Sequence, residues 1–298
     1  MTTEFDETTA AAPSPIIQAR NLSRRYADKQ ALDDVNLTVS AGRIVGLIGP
    51  NGAGKTTLLN ALLGLTGFSG TLSVLGHDPR RARDALMREV SFIADVATLP
   101  GWLRVADALT LVEKLHPRFD RARCEAFLAR SDLPPTKRIR QLSKGMVAQL
   151  HLALVMAIDS RLLVLDEPTL GLDLLFRRQF YENLIGDYFD AERTIVVTTH
   201  QVEEIEHILT DVVFIRDGRI VLDMSMAALD SRFVELRCNP DTLAAARALG
   251  PRAERRMLGA HALIFDLQAG VDRDALADIG ALHTPTLADL FTAVMSSP

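Results

Sequence analysis

The residues Gly49-Pro50-Asn51-Gly52-Ala53-Gly54-Lys55-Thr56 fit the pattern G-x-x-x-x-G-K-[ST], a loop that binds nucleotide phosphates. Each part of the pattern has a physical reason. Gly49, Gly52 and Gly54 carry no Cβ, so backbone N–H groups at Asn51, Ala53 and their neighbours can turn inward around phosphate oxygens. The helix that must start here adds the positive end of its dipole, with Thr57 in its first turn. Lys55 reaches the β- and γ-phosphates, and the Thr56 hydroxyl is a ligand for Mg²⁺. An ordinary glycine turn needs neither the ammonium nor the hydroxyl. A second constellation is Asp166-Glu167, placed directly after the apolar run Leu162-Leu163-Val164-Leu165. A buried strand ending in a carboxylate delivers it beside the phosphate loop of a parallel sheet. Asp166 would then hold Mg²⁺ through water, and Glu167 would polarise the attacking water. Strand alternation puts these two carboxylates on different faces.

Such groups require a strand before the glycine loop and a helix after it. Residues 43–49 include Ile44, Val45, Leu47 and Ile48, the run expected of a strand buried on both faces, and residues 56–63 have helical spacing. Upstream, residues 16–22 and 32–39 alternate apolar with polar about the turn 27–30, which reads as an antiparallel pair. Downstream, 71–75 and 90–94 read as strands and 105–115 and 121–131 as helices, the last stopped by Pro134-Pro135. After Ser143 a helix carries Met146, Val147, Leu150, Leu154 and Ile158. Helix 172–189, strand 194–199, helix 202–209 and a hairpin 212–222 around Asp217-Gly218 complete an alternating α/β pattern with a parallel core. Beyond a boundary near Asp223 the pattern changes, with strands at 233–238 and 263–267 and helices at 241–249, 272–279 and 288–295.

Between the two nucleotide sequences stands Leu142-Ser143-Lys144-Gly145-Met146, and this order of motifs resembles the ATP-binding cassette ATPases, the motor subunits of ABC transporters. The resemblance covers about residues 16–223. It implies the P-loop NTPase fold of ABC ATPases: a RecA-like parallel sheet core, a small antiparallel β subdomain and an α-helical subdomain. Residues 224–298 would form a small α+β accessory domain, and 1–15 a disordered tail. The resemblance implies that Ser143 and Gly145 bind the γ-phosphate of an ATP held by the opposite subunit. Physically, Ser143 at a helix N-cap with free N–H groups behind it is an anion site. By the same resemblance Tyr26 stacks on adenine, Asp173 in Gly171-Leu172-Asp173 lines a dimer interface, and His200 contacts the γ-phosphate. Asp95 stands where the family has a Gln that contacts Mg²⁺ and water, which makes Asp95 a candidate metal ligand. Lys144 replaces a signature Gly, and Ala148-Gln149 replaces the usual Gln-Arg. The segment Pro285-Thr286-Leu287-Ala288-Asp289-Leu290-Phe291 is similar to the Pro-Ser-Leu-Glu-Asp-Val-Phe tail of exporter-type cassettes of the drug and antibiotic-resistance group.

Composition narrows the partners. A chain of 298 residues at 48% hydrophobic can bury a large core. Its two cysteines, Cys124 and Cys238, cannot build a disulfide framework or a structural zinc site, which points to a reducing compartment. With 33 basic against 38 acidic residues there is no electrostatic footprint for nucleic acid. No apolar stretch approaches the roughly 20 residues that span a bilayer, and residues 1–15 lack the basic and apolar regions of a signal peptide. The expectation is an ATP- and Mg²⁺-dependent ATPase with Lys55, Glu167 and His200 as its catalytic residues. It would pair with a second copy of itself or a paralogue, sandwich two ATP, and work on the cytoplasmic face of the cell membrane with a separate integral-membrane permease, in export. The alternative is a soluble cassette ATPase acting on ribosomes or DNA, whose members carry two cassettes or long coiled coils not seen here.

Overall fold

The computed structural model describes residues 15–94, 99–131, 133–170 and 172–296. β1 (Ile17–Tyr26) and β2 (Lys29–Val39) form an antiparallel hairpin, and β3 (Ile44–Ile48), buried throughout, leads through the glycine loop into α1 (Lys55–Leu62). β4 (Ser69–Val74) returns beside β1, closing a three-stranded antiparallel sheet in the order β2-β1-β4. α2 (Arg83–Leu86) and β5 (Val90–Ile93) precede a helical lobe of α3 (Val105–Leu115), α4 (Arg121–Leu128) and α5 (Lys144–Met156). The chain then runs through β6 (Leu162–Asp166), α6 (Leu174–Asn183), β7 (Thr194–Thr199), α7 (Val202–Ile205), β8 (Asp211–Arg216) and β9 (Arg219–Ser225). The single helix expected over 172–189 is instead α6 followed by a π-helical turn at Leu184–Tyr188, with Gly186 inside it. Likewise the helix expected over 202–209 is one α-helical turn that tightens to a 3-10 turn at Glu206–Ile208.

The central sheet has the order β5-β6-β7-β3-β8-β9, parallel from β5 to β8 and antiparallel at β9. Its strands read as continuous apolar runs because both faces are covered. On one face Leu58, Leu59 and Leu62 of α1 pack with Val45, Leu47 and the antiparallel sheet. On the other, Met156, Phe180, Tyr181 and Ile205 pack against Ile44, Ile48, Leu163 and Leu165. Register fixes what the sheet presents at its edge. Ile48 pairs with Thr199, and Asp166 pairs with Thr198, so β3, β6 and β7 end side by side.

Past β9 come α8 (Met226–Arg232), β10 (Phe233–Cys238), α9 (Leu243–Ala248), β11 (Ala253–Met257), β12 (Ala260–Asp266), α10 (Arg273–Ala277), β13 (Ala281–His283) and α11 (Leu287–Ser296). These strands form a sheet in the order β11-β12-β10-β13. Alternation along β10 splits it between two cores: Val234, Leu236 and Cys238 face Ala246 and Leu276, while Phe233 joins the core of the central sheet. The position Asp223 lies inside β9, and α11 returns to the central sheet. Leu287, Leu290, Ala293 and Val294 of α11 lie in that core, and the Phe291 ring meets Phe214 of β8 edge-on with centroids 5.3 Å apart. Both ends of α11 are held. Glu206 Oε1 accepts the Leu287 N–H at 2.9 Å, and Arg216 Nη1 donates to the Met295 carbonyl at 3.0 Å. The free helix-end groups thus find partners on the segment after α7 and at the end of β8. Arg255 also joins β11 to α11, with Nη2 3.0 Å from Asp289 Oδ2.

Because Leu290 is fully buried in that shared core, Leu290→Ala is expected to destabilise the chain by about 2–5 kcal/mol in urea unfolding. Leu258→Ala, at an exposed hairpin tip, is the control and should shift stability by no more than about 0.5 kcal/mol.

Candidate nucleotide site

The glycine loop wraps the end of β3 and is braced by the β8–β9 turn, where Gly218 N donates to the Ala53 carbonyl at 2.8 Å. Two of its glycines have no substitute. Gly54 sits at φ +112, and a Cβ there would lie 2.5 Å from the Ala31 carbonyl oxygen. A Cβ on Gly49 would lie 2.3 Å from the Ile215 carbonyl oxygen. Gly54 is also the N-cap of α1 and supplies no side-chain cap, so the first N–H groups of the helix are available to an anion.

Lys55 is the first residue of α1, and its side chain is only 8% exposed. Its Nζ donates to the Gly49 carbonyl at 2.7 Å and stands 3.9 Å from Glu167 Oε1. Burial lowers the ammonium's pKa, while the nearby charges of Glu167 and Asp166 raise it in part. A polyphosphate would relieve that burial penalty by pairing with the charge.

The carboxylates depart from simple strand alternation. β6 ends at Asp166, and Glu167 turns off the strand in the left-handed region at φ 48, so both residues line the same cleft as Lys55. The different faces expected from alternation are therefore corrected: Glu167 is no longer extended. One side chain on the neighbouring strand holds the arrangement. Thr198 Oγ1 donates to Asp166 Oδ1 at 2.6 Å and accepts the Glu167 N–H at 3.1 Å. On the far side, Glu167 Oε2 is 2.8 Å from His200 Nδ1, just past the end of β7.

Tyr26, Asn51, Gly52, Ala53, Gly54, Thr56 and Thr57 line this cleft with Lys55 and the two carboxylates. Tyr26 is 42% exposed; Arg24 covers one side of its ring at 4.3 Å from the centroid, and its hydroxyl pairs with Thr66 Oγ1 at 2.9 Å. Ser143, Gly145, Asp173 and His200 are not among the lining residues, and of these His200 alone pairs with one, Glu167. Ser143 caps α5 by accepting the Met146 N–H at 3.2 Å, and Asp173 caps α6 by accepting the Phe176 N–H at 3.1 Å. Asp95 and Gly171 lie outside the described residues. Sequence reading missed two residues here. Thr198 is fully buried, and its one local signal is a Thr-Thr pair that follows the apolar run Ile195-Val196-Val197. Lys29 lines the cleft from the β1–β2 hairpin, where it reads as an ordinary turn lysine.

The glycine loop on β3, with a carboxylate pair two strands away and a buried lysine between them, defines a P-loop nucleotide hydrolase. Comparison with known proteins narrows the class. Residues 32–170 match the ABC transporter family. The chain is 33% identical to the Nod factor export ATP-binding protein I of Paraburkholderia xenovorans, in an alignment spanning 94% of this chain and 96% of that protein. It is 34% identical to the daunorubicin resistance ATP-binding protein DrrA3 of Streptomyces coeruleorubidus, spanning 90% and 92% respectively. A solved ATP-binding subunit of an ABC transporter has the same fold, with a TM-score of 0.67 at 24% identity over 72% of this chain and 92% of that one. The chain belongs to the ABC transporter family, as an ATP-binding subunit that hydrolyses ATP.

Thr198→Val keeps the shape of β7 but strips Asp166 of its buried donor. It is expected to cost about 1–3 kcal/mol of stability and to slow ATP turnover, read by thermal unfolding and a phosphate-release assay; unchanged values in both would dismiss the role given to this hydroxyl.

Proposed function

We propose that this chain is the ATPase of an exporter and works as a pair of cassettes closed around two ATP on the inner face of a membrane, bound to a separate permease. The observation that carries the reading is a division of the site residues. The P-loop cleft gathers Tyr26, residues 51–57, Asp166 and Glu167, with His200 joined to it through Glu167, whereas Ser143 and Gly145 at the start of α5, and Asp173 at the start of α6, neither line it nor pair with a residue that does. A second subunit, itself or a paralogue, would bring those helix starts to the exposed side of the triphosphate. The names of the two relatives support export, and the length of both alignments, which include the segment beyond β9, favours a transport subunit over a factor acting on ribosomes or DNA. Among the described residues no helix is long and apolar enough to cross a membrane, so the reading assigns the pathway to a partner.

In this reading Tyr26 stacks on the base, the amides of residues 49–57 cradle the phosphates, and Lys55 pairs with their outer oxygens. The Thr56 hydroxyl and the Asp166 carboxylate are hard oxygen donors that suit Mg²⁺ held together with phosphate, and the ion would neutralise charge on the β- and γ-phosphates. Glu167 accepts a hydrogen bond from the attacking water and orients it. His200 pairs through Nδ1 with Glu167, 2.8 Å away, and its Nε2 would face the γ-phosphate.

Glu167→Gln should keep ATP affinity while turnover falls about 10²-fold or more, and the ATP-closed dimer should accumulate on size exclusion. A variant that turns over normally and stays monomeric with ATP would remove the sandwich reading. Lys55→Ala removes a charge-assisted phosphate contact, and ATP affinity should weaken by about 1.5–3 kcal/mol in a direct binding titration.

A further inference from the structure

The first turns of α6 touch several parts of the site at once. The Phe176 ring packs on Gly145 of the signature, 3.4 Å from where a Cβ would stand, and Tyr181 Oη pairs with Thr169 Oγ1 at 3.3 Å just behind Glu167. Arg177 makes the longest link. Its Nε donates to the Leu172 carbonyl at 2.7 Å, and its Nη1 bonds both Gln201 Oε1 and Glu204 Oε1, in the segment that follows His200. Arg177 and Glu204 are 18% and 19% exposed at the side chain, so the pair is largely out of solvent. A desolvated ion pair contributes little net stability, but the rigid fork of a guanidinium can hold two backbone segments in one relative position. Gln201 is gripped from both sides, because its N–H donates to Thr199 Oγ1 at 2.9 Å. His200 therefore stands between the Glu167 carboxylate and a segment anchored by Arg177.

We propose that Arg177 is a positioning residue for ATP hydrolysis: it ties the Leu172–Asp173 turn to the segment after His200, so that the imidazole is held over Glu167 only while that turn is in place. The inference rests on the role of His200 at the γ-phosphate given above. Arg177 itself lines no part of the nucleotide cleft and acts through His200. A movement of the Leu172–Asp173 turn on subunit closure would thereby reach the imidazole through one side chain.

The test compares the full-length wild type with Arg177→Met, Arg177→Lys, His200→Ala and the double variant Arg177→Met/His200→Ala. For each, ATP-binding stoichiometry, Kd, kcat and KM are measured. Arg177→Met should bind ATP at full stoichiometry with Kd and KM within about twofold of wild type, while kcat falls roughly 10- to 100-fold, the scale expected when a reacting group is misplaced. Arg177→Lys should recover part of kcat, since an ammonium reaches some of the three acceptors but cannot fork between the two segments. The double variant should be no slower than His200→Ala, because both changes act through one group. Wild-type kcat in Arg177→Met beside a slow His200→Ala would overturn the proposal, as would a double variant slower by the product of both effects. If Arg177→Met fails to fold, Glu204→Gln decides: a loss confined to kcat supports the link, and normal kcat refutes it. A His200→Ala that turns over normally overturns the underlying reading of His200 instead.

Discussion

The nucleotide site depends on the flush alignment of three parallel strand ends. Ile48 of β3 lies opposite Thr199 of β7, and Thr198 lies opposite Asp166 of β6. β7 is thus the spacer between the phosphate loop and the carboxylates, and each of its last two threonines serves a neighbour. Thr198 fixes Asp166 and the Glu167 amide, while Thr199 accepts from the Gln201 amide. A slip of one residue in either pairing would turn Thr198 to the opposite face and separate the groups by a full residue rise. Apolar burial on both faces prevents that slip, which is how the bulk of the core sets the geometry of a few polar atoms.

The site is also where the chain carries unfavourable local features. Lys55 is desolvated, Glu167 is held at positive φ without being glycine, and two carboxylates share a cleft. Each is a local cost that surrounding structure must offset. In the proposed reading a bound triphosphate would pair the lysine and fill the space before Glu167.

The parts of this arrangement that follow from local sequence were legible. The glycine loop, the apolar run before Asp166 and the Ser143 cap each announce themselves within a few residues. What depended on partners distant in sequence did not. The link from Thr198 to Asp166 spans two strands, and the Thr-Thr pair that ends β7 does not say which residue it serves. The faces assigned to Asp166 and Glu167 went wrong because alternation holds only while the backbone stays extended, and Glu167 has left the strand. β11 reads Ala-Glu-Arg-Arg-Met and β13 is three residues long, so neither shows the apolar pattern by which a strand is recognised. The helix at 288–295 was legible, yet a helical pattern does not say which surface the helix meets.

That last helix bears on how such subunits can be recombined. A chimera that joins the ATPase sheet of this chain to another protein's tail at the end of β9 would cut across shared packing. It would remove the ring that meets Phe214 and break the bonds that Glu206 and Arg216 make to the two ends of α11. Glu206 lies a few residues from His200, and Arg216 adjoins the turn that braces the glycine loop. Exchangeable parts in this architecture are therefore not contiguous in the chain: the sheet of β10 to β13 could be replaced as a cassette only if α11 were returned to its original seat.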